Sequence, residues 1–439
     1  MKRLNRTARN ADEPLKIEID SLPIQLNPLI TSDYTSKFIS SIMYESLRHG
    51  YNCRMTHQQH QIYTVKLHPH YIGDAEKLIH TITFHLIKEN QSPHLTSLLC
   101  IKNAIPFVKG LMPPEELGLK VMNKREFEVT LDEPFEAFQT VLQSSFLIPS
   151  EQNGDAVANG PYRLIHKDEK GLEFERNPEY QITPADQNTI RSIHFVFNDN
   201  LTKSIELYEN NKIDVTCHTQ FHHTNMDYRT YIDFKESSLP MLFTLKVKDG
   251  MLMRFIKNNL NKQQLAQDLR HIVIPTDSLL GVSSSIREKH EEIEIVRKEP
   301  VRIVYADYYP NGEIMEKVAD IVRQSGIDVV IHKVSTFHEY YHLDKRIFDI
   351  ELHLFLPNYL HYISYLKYFI HDIPEKKVKM DIIEFAKHKK KKELYGLFEN
   401  TTQYYPICFG KSLYLQDPCI EGFYLNPDGL LSVHDLKCR

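Results

Sequence analysis

The segment His338-Glu-Tyr-Tyr-His342 has H-E-x-x-H spacing. On a helix its two imidazoles fall one turn apart on one face, with Glu339 as a base between them, the arrangement of a zinc hydrolase. The surroundings speak against that chemistry. The segment closely follows an apolar strand at Ile327 to His332, has room for about two turns, and runs straight into Lys345-Arg346 with no third ligand in view. It reads as a short surface helix, and His338, Glu339 and His342 stand only as a weak alternative metal set. The 23 His also pair locally as His57/His60, His68/His70 and His222-His223. Neutral imidazoles ligate divalent metals, but on polar loops such as Thr56 to Gln61 these pairs read as solvated. The run Lys387-His-Lys-Lys-Lys-Lys-Glu393 could hold an anion. It lacks interleaved aromatic residues, so it reads as a solvated helix face and direct nucleic-acid binding is not expected. With 15 Gly and no phosphate-cradling or nucleophile-elbow motif, nothing calls for a cofactor, catalytic residues or an enzyme.

Composition sets the wider frame. The 439 residues are 41% hydrophobic and 25% charged, enough for a sizeable core. Lys+Arg number 53 and Asp+Glu 58, a net charge of -5, so there is no global basic field for nucleic acid. Six Cys at wide spacing, none in C-x-x-C, suit free thiols in a reducing compartment. No uncharged apolar run approaches the ~18 residues of a membrane span. The basic start, Met1 to Arg9, leads into no apolar stretch, so the expectation is a cytoplasmic chain without membrane insertion, or an extracytoplasmic one if the start is misassigned.

The elements that must position any site follow from periodicity. Leu15 to Asp20 alternates apolar and charged residues as a half-buried strand does. Ser36 to Leu47 has helical spacing. Ile62 to Leu67 and Phe127 to Leu131 are strands, and Leu78 to Ile87 is a helix or a long strand. Phe135 to Leu142 and Thr202 to Asn210 are helices. Tyr162–Ile165 and Leu172–Glu175 form a hairpin around Lys170-Gly171, and Ile193 to Phe197 is a strand. A second region opens at Met241 to Leu245 with a helix at Met251 to Leu260. The charged stretch Ile286 to Glu299 is a surface connection. The clearest α/β unit follows: strand Val301 to Tyr305, helix Glu313 to Gln324 with Ile314, Val318, Ile321 and Val322 inward, a stop at Ser325-Gly326, and strands from Ile327 and Phe348.

Several segments, in order, resemble the family 5 solute-binding proteins of peptide and nickel ABC transporters. Asn27-Pro28 and Tyr44-Glu-Ser-Leu47 look like that family's opening loop and helix, and Tyr63 to Leu67 like an early strand. Asn159-Gly-Pro-Tyr-Arg-Leu164 with Glu175-Arg-Asn-Pro-Glu-Tyr180 is the most specific match. Asn211 to Val215, Tyr405-Pro-Ile407 and Ile420 to Tyr424 complete it. The ending Ile420 to Leu431 is similar to the solute-binding domain of SgrR-type regulators, although no DNA-binding unit precedes Leu15.

The resemblance implies an α/β, two-lobed periplasmic-binding-protein-like (type II) fold with two crossover strands and a ligand cleft between the lobes. Residues 1–12 would be a flexible tail, 13–240 the first part of lobe I, 241–403 lobe II, and 404–439 the return to lobe I. Thr31, Ser32, Asp33, Tyr34, Phe243, Phe355, Asn358, Tyr359 and Tyr405 would line the cleft. Phe243 and Phe355 read equally well as core, and Asp33 as a helix cap. The implied ligand is a small polar solute or a peptide, bound by hinge closure. The partner is an ABC permease, or a separate DNA-binding protein if the chain is a cytoplasmic sensor. One departure bears on the ligand. Leu352 to Tyr359 matches the stretch where peptide binders hold the ligand's ammonium, yet it contains no Asp or Glu, and the chain has no Trp.

Overall fold

A computed structural model describes residues 1–2, 9–31, 33–218, 223–280, 293–357, 359, 361–369, 396–397, 402–426 and 428–439. Along the chain come β1 (Leu15–Ile19), α1 (Tyr34–Ser40), the hairpin β2 (Cys53–Gln58) and β3 (Ile62–Leu67), α2 (Ala75–Leu86), and the hairpin β4 (Leu119–Asn123) and β5 (Glu126–Thr130). Then follow β6 (Tyr162–Asp168), β7 (Gly171–Arg176), β8 (Ser192–Phe197) and the long β9 (Phe234–Val247). The short β10 (Val273–Pro275), then β11 (Val301–Ala306), β12 (Val329–Val334), β13 (Ile350–Phe355) and β14 (Tyr404–Leu415) complete the main strands.

They form three sheets: β1-β8-β7-β6, β2-β3-β5-β4, and β10-β14-β9-β13-β11-β12. In the third, β11 runs parallel to β12 and β13, and the helix Asn311–Gln324 makes the crossover between β11 and β12. Its inward face is Ile314, Val318, Ile321 and Val322, as the spacing requires. Strands β9 and β14 tie this sheet to the first. Their pairing runs from Lys246–Tyr404 to Phe234–Leu415, with irregularities at Pro406/Cys408 and Phe409/Lys411. Beyond Leu415, Gln416 bridges Val215, which also meets Ile17 of β1. Two bulges midway along a two-strand connection let it bend. Each sheet has its own apolar cluster.

Four local expectations change. β1 is not half-buried: Glu18 is fully buried, because its carboxylate accepts from Cys217 N, Ser204 Oγ and Asn198 Nδ2 at 2.6–2.9 Å. The helix expected to reach Leu47 stops at Ser40. Its continuation is recruited by another segment: Gly160 N donates to Met43 O, Tyr162 N to Ile42 O, and Glu45 N to Asn159 Oδ1, at 2.8–3.0 Å. Thr56 to Gln61 is no loop throughout, since β2 runs to Gln58 as an exposed edge. The Leu78 region is the helix α2, capped by Asp74 on Lys77 N. Close to the start, Arg9 pairs with Asp214 at 2.7 Å and Ala11 is buried, so the expected loose tail is held at these two residues, while Asn10 and Asp12 are exposed. The lysine run at 387–393 lies outside the described residues.

Candidate ligand cleft

Parallel strands point their carboxyl ends, and the loops that follow, to one side. Here β1 ends at Ile19 with Asp20 next, and β11 ends at Ala306 with Asp307-Tyr308 next. The Tyr308 hydroxyl is pushed up by burial and then by the Asp20 carboxylate. The Asp20 carboxylate thus lies within electrostatic reach of Tyr308, on the loop that follows β11. Cys217 Sγ donates to Asp20 Oδ1 at 3.8 Å on the first-sheet side. Periodicity shows Asp20 only as the last charge of an alternating strand, and nothing local marks Tyr308.

The residues expected in the cleft divide by role. Thr31 is fully buried and its hydroxyl donates to Asn27 O at 2.8 Å, shaping its own loop. Asp33 caps α1 through Ser36 N at 2.8 Å. Tyr34 donates to the Gly429 carbonyl at 2.7 Å, and burial pushes its pKa up. Phe243 is fully buried in the third-sheet core and presents no wall. Tyr405 is almost buried there, with the Lys262 ammonium 4.1 Å from its ring centroid. Phe355 differs from both in its exposure. It is half-buried at the end of β13, stacks on Tyr368 at 4.5 Å and His353 at 5.5 Å, and meets Phe369 and Tyr404 edge-on. Tyr359 packs into the core of the β2-β3-β5-β4 sheet, so the loop after β13 reaches across to that unit. Ser32 and Asn358 lie outside the described residues.

The H-E-x-x-H segment is the helix Phe337–His342, capped by Thr336 Oγ1 on Glu339 N at 3.1 Å. Glu339 and His342 are exposed. Among the described residues no group of three His, Cys, Asp or Glu is placed to hold a metal. His57 and His60 stack ring on ring at 3.9 Å.

The Asn159-Gly-Pro-Tyr and Glu175-Arg-Asn-Pro-Glu-Tyr motifs are architectural. Asn159 takes both backbone groups of Glu45, at 2.8 and 2.9 Å. Tyr162 Oη donates to Ile190 O at 2.7 Å, and Asn177 Nδ2 to Gly160 O at 3.0 Å. Arg176 lies over the rings of Tyr162 and Tyr180. Tyr180 Oη meets His434 Nδ1 at 3.0 Å, and Arg48 bridges His434 to Glu45. Beside this network, lined by residues of α1, of segment 44–48 and by Asn426, Asp428, Leu430, Leu431 and His434, lies a cavity of about 50 Å³ of mixed polar and apolar character. Lys37, Glu45, Arg48, His94, Asp428 and His434 give it its charged and imidazole lining.

No protein-family model matches the sequence, and no curated protein matches it. Solved structures do match its shape. The murein tripeptide binding protein MppA of Escherichia coli superimposes with a TM-score of 0.81 at 14% identity, over 98% of this chain and 99% of that one. The pheromone receptor PrgZ, whose structure describes its mode of peptide binding, gives 0.81 at 14% identity, over 98% and 100%. MppA in its unliganded open form gives only 0.67, also at 14% identity, over 99% of both chains. The protein therefore has the two-lobed type II periplasmic-binding-protein fold. These neighbours are binding proteins rather than enzymes. No helix among the described residues is long and apolar enough to cross a membrane.

Proposed function

We propose that the protein binds a peptide or small polar solute in the crevice at the strand ends, enclosing it by bending at β9 and β14. The carrying observation is the whole-chain superposition on peptide-binding proteins. The crevice supports it with an aromatic wall at Phe355, Tyr368 and Tyr404, and an acidic group at Asp20 on the opposite sheet. Aromatic walls with a few polar groups suit such ligands. Asp20 offers a ligand's ammonium the counter-charge that Leu352 to Tyr359 lacks. In this reading residues 13–240 and 404–439 make one lobe and 241–403 the other. The closed form gains contacts from both lobes, so ligand shifts the population toward it. No covalent step is needed.

We further propose that closure is read out as a signal, as in SgrR-type sensors. The support is the similarity of Ile420 to Leu431 to the end of their solute-binding domains. Delivery to an ABC permease is the competing role. The first test is native mass spectrometry of the purified chain, before and after mild denaturation, followed by calorimetric titration with a defined tripeptide and pentapeptide series. A co-purified peptide, or saturable peptide binding lost in Phe355→Ala, supports the reading. A chain that neither carries nor binds peptide or small polar solutes would sink it. Ligand-dependent cross-linking to a permease subunit or to a DNA-binding protein separates the two roles.

A further inference from the structure

The two-strand connection carries an ionic cluster centred on Arg229, near the end of the helical turn His223–Thr230 that leads into β9. Arg229 Nη1 donates to the Arg270 carbonyl at 2.6 Å, and Nη2 donates to Glu236 Oε2 at 3.3 Å. The other oxygen of that carboxylate accepts from Lys411 Nζ at 2.7 Å. Glu236 lies on β9 and Lys411 on β14, so one carboxylate ties both crossover strands to Arg229. All three charges are partly exposed, and as surface ion pairs they stabilise little. Their interest lies in what they connect.

The cluster sits at a seam between two bodies of core. Tyr228 and Tyr231, on either side of Arg229 in sequence, are buried with Ile213 and Leu415, and Val196 of β8 in the first sheet packs against them. Leu269 and Ile272, on either side of Arg270, are buried in the third-sheet core. Phe234 packs against both groups, and the Arg229 guanidinium lies 6.0 Å from its ring centroid. The seam is also where the strands are irregular. Lys411 pairs with Ser238 at the register shift, and its amide donates to Ile272 O at 2.9 Å. Arg229 and Glu236 both precede that shift on β9, whereas Arg270 is carried by the third-sheet core. Bending at the shift therefore stretches the Arg229–Arg270 bond and spares the Arg229–Glu236 pair.

The turn that Arg229 holds is strained. Arg270 and His271 both take left-handed backbone, with φ of 50° and 61°, although neither is Gly. Residues in that region persist where their surroundings over-determine them, and they gather where chains switch.

We propose that Arg229 is a brace across the bend. Its bond to the Arg270 carbonyl holds the lobe arrangement of this structure and is given up when the chain bends. The proposal rests on the bending assigned to β9 and β14, and on no property of the ligand.

The test is small-angle scattering of the full chain without ligand, comparing the parent with Arg229→Met and Arg229→Lys, each shown to be folded by circular dichroism. One hydrogen bond from a charged donor biases an equilibrium by about tenfold or more. Arg229→Met should shift the radius of gyration and the distance distribution away from the parent's at unchanged circular dichroism. Arg229→Lys, which reaches one acceptor and cannot span two, should recover at most part of that shift. Superimposable curves for the parent and Arg229→Met would overturn the brace. If Arg229→Met does not fold, Glu236→Gln decides by the same measurement, since it keeps the arginine and removes only the carboxylate that orients it. A shift then supports the brace and a superimposable curve overturns it. Calorimetric titration of the same proteins with the tripeptide series keeps this claim separate from the ligand reading. Peptide binding with no shift in any variant overturns the brace alone. A shift in a chain that binds no peptide supports the brace and counts against the ligand.

Discussion

Arg48 donates to Nε2 of His434 across 386 residues of chain. This contact fixes the imidazole as a neutral acceptor at Nε2, leaving Nδ1–H for Tyr180 Oη at 3.0 Å. The C-terminal segment is thereby anchored to the loop after α1 by a histidine that must stay uncharged.

That constraint gives a pH dependence with a definite sign. Burial, then Arg48 and Arg176, hold His434 well below the ordinary histidine value; burial likewise puts His85 and His218 at about 4. Each takes up a proton in the unfolded chain first, so its stabilisation is complete above about 6.5 and is lost as pH falls toward about 4. By about pH 5 the loss is about 2 kcal/mol each for His85 and His218. Glu18, Glu45 and Asp428, whose values burial raises, act in the opposite direction and reduce the net slope. Urea unfolding followed by circular dichroism at about pH 7 and about pH 5 should show lower stability in acid. His218→Phe, which keeps a ring against Phe38, Tyr414 and Phe423, should flatten the dependence. Equal slopes for the variant and the parent would contradict this account.

Gly160 is required by close approach rather than by dihedral. A Cβ there would stand 2.5 Å from the Met43 carbonyl carbon, where the two segments exchange hydrogen bonds. Gly160→Ala should cost about 2 kcal/mol or more, read as a lowered melting temperature. Gly250→Ala, at the start of a helix and with nothing within 4 Å of the added carbon, should be neutral or slightly stabilising. A melting temperature for Gly160→Ala equal to the parent's would disprove the packing argument.

The two aromatic candidates should separate cleanly. Phe243→Ala opens a cavity in the third-sheet core and should cost about 3–5 kcal/mol in chemical denaturation. Phe355→Ala removes a half-buried ring stacked on Tyr368 and His353, so its larger effect should fall on ligand affinity. Phe355→Ala destabilising as much as Phe243→Ala, with affinity intact, would move Phe355 from wall to core.

Tyr359 joins two units of the chain. It is carried by the loop after β13 yet buried in the core of the β2-β3-β5-β4 sheet, and His361 adds an edge contact to Phe135 at 6.0 Å. Tyr359→Ala should shift the chain toward an open arrangement, seen as a larger radius of gyration in small-angle scattering without loss of secondary structure. Filling that core with a ring is worth about 3–5 kcal/mol, enough to change populations by more than tenfold. An unchanged scattering curve would contradict this expectation.

Order and type of element were legible where one face repeats at a clean period. The strand at Val301, the helix at Asn311–Gln324 and the Lys170-Gly171 hairpin follow from local spacing and turn chemistry. The type II fold was legible through several motifs in sequence order. Those motifs turn out to stitch segments together, as Asn159 does to Glu45.

The tertiary structure alone decided what depends on distant partners. Helical spacing to Leu47 could not show that the chain leaves the helix at Ser40 to pair with residues 159–162. Alternation in β1 could not show that Glu18 is buried, because its three donors come from residues 198, 204 and 217. Tyr359 reads locally as a loop aromatic and is core, while the Asp20 carboxylate comes within electrostatic reach of Tyr308 only in the folded chain. Periodicity reports which face of an element is apolar, and only the packed chain says what stands opposite that face.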